Sequence, residues 1–266
     1  MKRLIALVFA AMVALLPTMA PAGSSEATEA ILPADQVATF SNRVQKDLAA
    51  RGAQVAIVAR MGRDPRTLPE GIDYTHVAYW VYSEITDADG GKSYGYRAYN
   101  LYQLGDDQTQ SQLIQDTPAD FFAGAQTLDA GIIIPDPRLQ QKLLRVIASP
   151  TYRDLHNANY SVLANPSNKR FQNCTEHTLD VMMAAIYNTS DRAQIKANIG
   201  AHFDTQEIKI SGMKRTFAPL ASGSLTTSDH GAKIGTATFG SIARFMKDYD
   251  LSHKTYRITP EANYRF

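Results

Sequence analysis

The sequence predicts an α+β fold. Its composition is that of an ordinary globular chain, 44% hydrophobic and 20% charged, with only 16 Gly and 12 Pro in 266 residues, which excludes collagen-like, low-complexity and largely disordered chains. Strand-like and helix-like runs both occur. They are mixed without the regular strand–helix alternation that builds a parallel sheet. Length sets the scale, one large domain or two small ones, with roughly 70–75% of the unfolded surface buried on folding. The formal charge of +1 leaves no basic excess to follow a phosphate backbone, so no nucleic-acid partner is expected.

At the N-terminus Lys2 and Arg3 precede an unbroken apolar run from Leu4 to Leu16, Pro17, and the small residues Ala20-Pro21-Ala22. Basic, apolar and small residues in that order predict a secretory signal peptide over residues 1–22. The run is shorter than the about 20 residues of a membrane span, so a soluble, exported chain is expected, periplasmic or secreted, with no stable membrane insertion. Loss of Lys2 and Arg3 takes the formal charge from +1 to −1. Residues 23–34 read as a flexible leader and 35–266 as a single domain, since no linker or internal repeat divides them.

Val37, Phe40, Val44 and Leu48 fall on one helical face, with Gly52 placed to end the helix. Residues 54–62 read as a buried strand and 63–71 as a Pro/Gly-punctuated loop. Two aromatic and β-branched runs, 73–85 and 93–103, flank Asp89-Gly90-Gly91 and predict a β-hairpin. The polar stretch 104–120 reads as loop. Gly131 to Ile134 is a short strand, and Asp136-Pro137 opens a helix with Leu139, Leu143, Val146 and Ile147 inward. Residues 150–172 read as loop, 173–186 and 191–202 as helices, 207–212 as a strand and 239–249 as a last amphipathic helix; 215–233 is Ser/Thr/Gly-rich and unassigned.

The only cysteine is Cys174, so an internal disulfide is impossible and stability must come from the core. A lone exported thiol is either buried and inert or used. Asn173 is a strong N-cap and Glu176 fits the capping-box position, which makes Cys174 the first helical residue. There the unpaired N–H groups and the helix dipole favour a nucleophilic thiolate, reactive near neutral pH. Cys174, Thr178, Val181, Met182 and Ala185 share one side of this helix, and His177 falls toward solvent. A cysteine nucleophile needs a base. Among the six histidines, His76 opens a strand otherwise made of Tyr, Val, Ala and Trp, where a polar residue needs a reason.

The Thr75-His76-Val77 strand, followed about a hundred residues later by Asn173-Cys174-Thr175-Glu176, resembles the circularly permuted papain-like hydrolases of the NlpC type. The whole chain from about 35 to 250 more closely resembles an uncharacterised family of exported bacterial proteins, a domain of unknown function, through VARMGR, THVAYWVYSE, NLYQ, DFFAGA, VIASPTY and NCTEHTLDV. The papain-like resemblance implies a small antiparallel sheet with the cysteine helix packed on it, Cys174 as nucleophile, His76 as general base, and a third polar residue on the next strand that orients the imidazole. Asn100 and Gln103 are the candidates. A two-residue turn at Asp89-Gly90 places Gln103 opposite His76; a register shifted by one places Tyr102 opposite and Asn100 diagonal on the same face.

The expected function is therefore an exported cysteine hydrolase or acyltransferase acting on an amide, ester or thioester, on a small-molecule or peptide substrate, with cell-wall peptides and lipids both compatible. The alternative is a non-catalytic envelope binding or structural protein, with the aromatic hairpin (Tyr79, Trp80, Tyr82, Tyr94, Tyr96, Tyr99, Tyr102) as a ligand surface. No cofactor and no metal is expected: Cys174-x-x-His177 with His76 lacks a second short ligand pair. Asn-x-Ser/Thr matches at Asn159, Asn173 and Asn188 matter only in a glycosylating host. Oligomeric state is not legible.

Overall fold

The computed structural model describes residues 30–86, 89–209 and 224–265. The signal peptide over 1–22 and most of the leader lie outside the described residues. Among those described, no helix is long and apolar enough to cross a membrane.

The chain forms helices α1 (Ala34–Ala50), α2 (Pro118–Ala123), α3 (Pro137–Ile147), α4 (Thr151–Asp154), α5 (Cys174–Tyr187), α6 (Arg192–His202) and α7 (Phe239–Asp248). Its strands are β1 (Val55–Arg60), β2 (His76–Thr86), β3 (Lys92–Gln103), β4 (Ser111–Asp116), β5 (Ala130–Pro135), β6 (Gln206–Glu207), β7 (Gly235–Thr236), β8 (Ser252–Ile258) and β9 (Asn263–Arg265). Seven strands make one sheet in the order β4-β3-β2-β1-β5-β8-β9. Every pairing in it is antiparallel, so the fold is α+β.

Both faces of the sheet are covered. Ala56, Val58, Ala78 and Trp80 pack with Phe40, Val44 and Leu48 of α1 and Phe121 and Phe122 of α2. Ile57, Ala59, Val77 and Tyr79 pack with α3, α5, α6 and α7. Successive strand residues alternate between these two cores, and β1, buried on both faces, accordingly reads as an unbroken apolar run.

Local signals act as expected at several ends. Gly52 adopts φ +65° and the N–H groups of Gly52 and Ala53 bond back to Ala49 and Leu48, closing α1 with a left-handed cap. Asp136 accepts from the Arg138 N–H with Pro137 at the first helical position of α3. Three expectations need correction. Residues 104–120 are not a loop: they hold the edge strand β4 and the start of α2, whose Thr117–Asp120 capping box is formed. The 150–172 stretch contains the single turn α4. The 207–212 strand is confined to the short β6, paired with β7, and residues 210–223 lie outside the described residues. At the C-terminus, β8 and β9 extend the sheet.

Candidate active site

The start of β2 and the start of α5 meet at one place. Asn173 caps α5, its side-chain oxygen accepting from the Glu176 N–H at 2.9 Å, while its amide donates to the Val162 carbonyl at 2.9 Å. That cap fixes Cys174 as the first helical residue, as the capping pattern predicts. The Cys174 sulfur lies 4.0 Å from the Thr75 carbonyl oxygen, and the Val77 N–H faces it from the other side of residue 76. The Thr75 carbonyl and the His76 Cα share one planar peptide unit, so the sulfur lies within about 7 Å of that Cα. The β2–β3 ladder runs outward from Tyr79 and Tyr99; the cysteine sits where that ladder has not yet begun.

His76 is fully buried. Its ring stacks on Tyr102, centroids 4.8 Å apart, and lies against Phe121 at 5.4 Å, on the α1/α2 side of the sheet. Its Nε2 is 2.9 Å from the Asn100 side-chain oxygen. The hairpin register places Tyr79 opposite Tyr99 and Thr86 opposite Lys92. Carried back to residue 76, this is the frame with Tyr102 opposite and Asn100 diagonal. Gln103 is not brought to His76: its amide donates to the Gln108 carbonyl at 2.7 Å, because five residues, not two, separate the hairpin strands.

The network assigns the imidazole proton. The Asn100 amide nitrogen donates to Asp116 Oδ2 at 3.1 Å and to the Ala98 carbonyl at 3.3 Å, and the Tyr102 hydroxyl donates to the same Asp116 oxygen at 2.8 Å. With its nitrogen held by two acceptors, Asn100 must turn its oxygen toward His76. An amide oxygen only accepts, so Nε2 carries the hydrogen and Nδ1 keeps a lone pair. Nδ1 has no hydrogen-bond partner among the described residues. The geometry needed to take a proton from the cysteine side is thus prepared, although no hydrogen bond joins His76 to Cys174.

Arg60, at the end of β1 beside His76, is also buried. Its guanidinium lies over the Phe121 ring at 5.6 Å and packs so closely on Gly124 that a Cβ there would stand 2.6 Å from it. Burial, aided by the Arg60 charge, holds the His76 pKa well below its ordinary value. Burial also pushes the Cys174 thiol up to about 11, against the opposing pull of the Val77 and Thr175 N–H groups and Arg60. The thiolate expected from the helix start is therefore reversed: desolvation outweighs the helix N-terminus, and the resting pair is neutral.

The expectation that His177 falls toward solvent is also corrected. It is buried on α5 against Tyr152 and 6.3 Å from the His156 ring, its pKa lowered to about 3 by burial. Packing from α3 and α6 leaves α5 no exposed face, and the helix is buried from Cys174 to Ala185. Beneath its first turns, Lys196 binds Glu176 at 2.6 Å and Asp180 at 2.7 Å. Among the described residues no three of His, Cys, Asp and Glu gather as a metal-binding group.

A pocket of about 240 Å³ opens onto Cys174, with the 63–75 loop and residues 160–163 and 236–238 around it. His76 is not part of its wall; it lies behind the strand. Arg60, Tyr102 and Asp116 complete the site without having been singled out in the sequence. Arg60 carries the same signal as His76, a polar residue at the end of an apolar strand. Asp116 carries none, because it sits in a segment that is polar throughout.

Fold and site together define an α+β protein with a buried cysteine at a helix start, an apolar pocket above it and a histidine–asparagine pair beside it. The family model described as an uncharacterised protein conserved in bacteria, DUF2145, matches residues 47–246, and the chain belongs to that family. No curated protein and no solved structure matches the chain.

Proposed function

We propose that this protein is an exported cysteine hydrolase or acyltransferase with a permuted papain-like arrangement, in which Cys174 is the nucleophile, His76 the base and Asn100 the residue that orients it. The observation that carries the reading is the His76–Asn100 contact of 2.9 Å with Nδ1 left unpaired, beside a sulfur that touches the backbone on both sides of residue 76. Export to the periplasm or medium rests on the basic, apolar and small residues of positions 1–22.

In the proposed step, a small rotation of either side chain brings sulfur and Nδ1 together. Nδ1 takes the thiol proton as the sulfur attacks the acyl carbon, so the proton moves with bond formation and no ion pair waits at rest. The Cys174 N–H supports the oxyanion. Collapse expels the amine, alcohol or thiol, which receives the proton from His76. Water or an acceptor, deprotonated by His76, then attacks the thioester and releases Cys174.

The non-catalytic reading, an envelope binding protein that keeps this fold, is favoured by one observation, the raised thiol pKa. The two part on the origin of reactivity. On the catalytic reading, iodoacetamide alkylates Cys174 slowly at pH 7 and faster as pH rises toward 11, whereas an acyl ester is turned over already at pH 7. Replacing Cys174 or His76 by Ala removes that turnover, by about 10²–10⁴-fold for His76. Turnover unaffected by His76→Ala defeats the catalytic reading.

A further inference from the structure

We infer that the pocket above Cys174 is a binding site for an apolar acyl group of roughly ten non-hydrogen atoms, carried in an ester or amide whose remaining part is neutral or anionic. This rests on the acyl-transfer reading above and narrows it from any amide, ester or thioester to one substrate class.

The size follows from the cavity. An apolar cavity of about 150 Å³ takes a benzene molecule, and this pocket holds about 240 Å³, room for about ten non-hydrogen atoms on the same scale. Much of the wall is apolar, from Leu68, Pro69, Ile72, Val162, Leu163 and Leu225.

The polar side chains of the wall are mostly already engaged. The Thr175 hydroxyl donates to the Ala237 carbonyl at 2.8 Å, and that of Thr236 to the Ala164 carbonyl at 3.0 Å. Thr238 caps α7 through the Ser241 N–H, Thr75 accepts from the Gly62 N–H, Thr67 donates to the Asp64 carbonyl and the Tyr74 hydroxyl donates to Asp129. Both ends of the Asn173 amide are in use. A peptide placed here would bury amide groups against occupied partners, which disfavours it; a hydrocarbon or aromatic acyl group loses nothing. Charge adds a second restriction. Arg63 is the charged residue among the described residues lining the pocket, and no carboxylate lines it, so an ammonium-bearing substrate has no counter-charge while an anionic leaving part does.

The test separates this inference from the catalytic reading. Octanoate and butyrate are titrated calorimetrically into the Cys174→Ala protein. Apolar burial gives about fourfold in affinity per methylene, so octanoate is expected to bind at least 30-fold tighter than butyrate, and the dipeptide D-Ala-D-Ala more weakly than octanoate. Leu225→Asp should weaken octanoate at least tenfold; Leu68→Trp, which fills the space without adding charge, should do the same if the first variant does not fold. In the wild type, kcat/KM should be higher for p-nitrophenyl octanoate than for the acetate. Octanoate binding no tighter than butyrate, or unchanged in both pocket variants, overturns the inference even if acetyl esters are cleaved. Chain-length-dependent binding to Cys174→Ala, with no turnover of either ester by the wild type, supports the acyl site and overturns the catalytic reading instead.

Discussion

At the scale of single residues, the site depends on which way Asn100 faces. Asp116 and Tyr102 hold its amide so that the oxygen meets Nε2 of His76, and this leaves Nδ1 basic. Asp116→Asn replaces an acceptor-only group by one that also donates, so Asn100 can flip and lose its hold on His76. The expected outcome is a fall in kcat of about tenfold with KM little changed, and loss of the pure Nε2–H tautomer in ¹⁵N spectra of His76; an unchanged tautomer would show that Asp116 does not position Asn100. Cys174 and His76 were legible in the sequence because each is the wrong residue type for an otherwise apolar element. The choice between Asn100 and Gln103 was not, since it turns on the number of residues in the hairpin loop. The thiol's charge state was misjudged because a helix start is visible in sequence and the depth of its burial is not.

At the scale of elements, α5 couples fold to site. Its N-cap Asn173 accepts from Glu176 and Thr175 and donates to Val162. Asn173→Ala removes all three bonds, with an expected loss of about 1–2 kcal/mol, of which the cap itself is about 1. Urea unfolding checks it, and a change below a few tenths would mean that Cys174 is not held in place by the cap. The elements read correctly, such as α1, β1, α3 and the β2–β3 hairpin, have strong periodicity or sharp caps. The missed β4, β8 and β9 are partly exposed strands near the sheet edges, with a burial pattern such as that of Ser252–Ile258, in which few inward residues stand among polar ones. The amphipathic reading of α5 failed because helices pack on it from sides that local sequence does not reveal.

For the whole molecule, the α+β class follows from mixed local signals. The strand order does not, because pairings such as β5 with β8 join segments more than a hundred residues apart. The family match ends at residue 246, yet β8 lies beyond it and pairs along β5, so the sheet draws on residues outside the matched span. Buried histidines set the acid response. His177 titrates near 3 when folded and near 6.5 when unfolded, so the unfolded chain binds the extra proton as pH falls. Stability is then lost between about pH 6.5 and 3, at about 1.4 kcal/mol per pH unit for each such histidine. His76 acts in the same direction. Glu176 and Asp180, with pKa values raised by burial, partly oppose it above pH 4.5. His177→Gln should reduce the slope of unfolding free energy against pH by about 1.4 kcal/mol per unit between pH 6 and 4; an unchanged slope would place His177 in contact with water.

The central claim is that Cys174 attacks an acyl carbon with His76 as its base. Its most direct measurement is the intact mass of the protein after brief mixing with p-nitrophenyl octanoate at pH 7 and acid quenching, followed by proteolytic mapping. The account predicts one octanoyl group, on Cys174, formed at least 10²-fold more slowly in His76→Ala and absent in Cys174→Ala. Acylation at another residue, or on Cys174 at the same rate without His76, would contradict it.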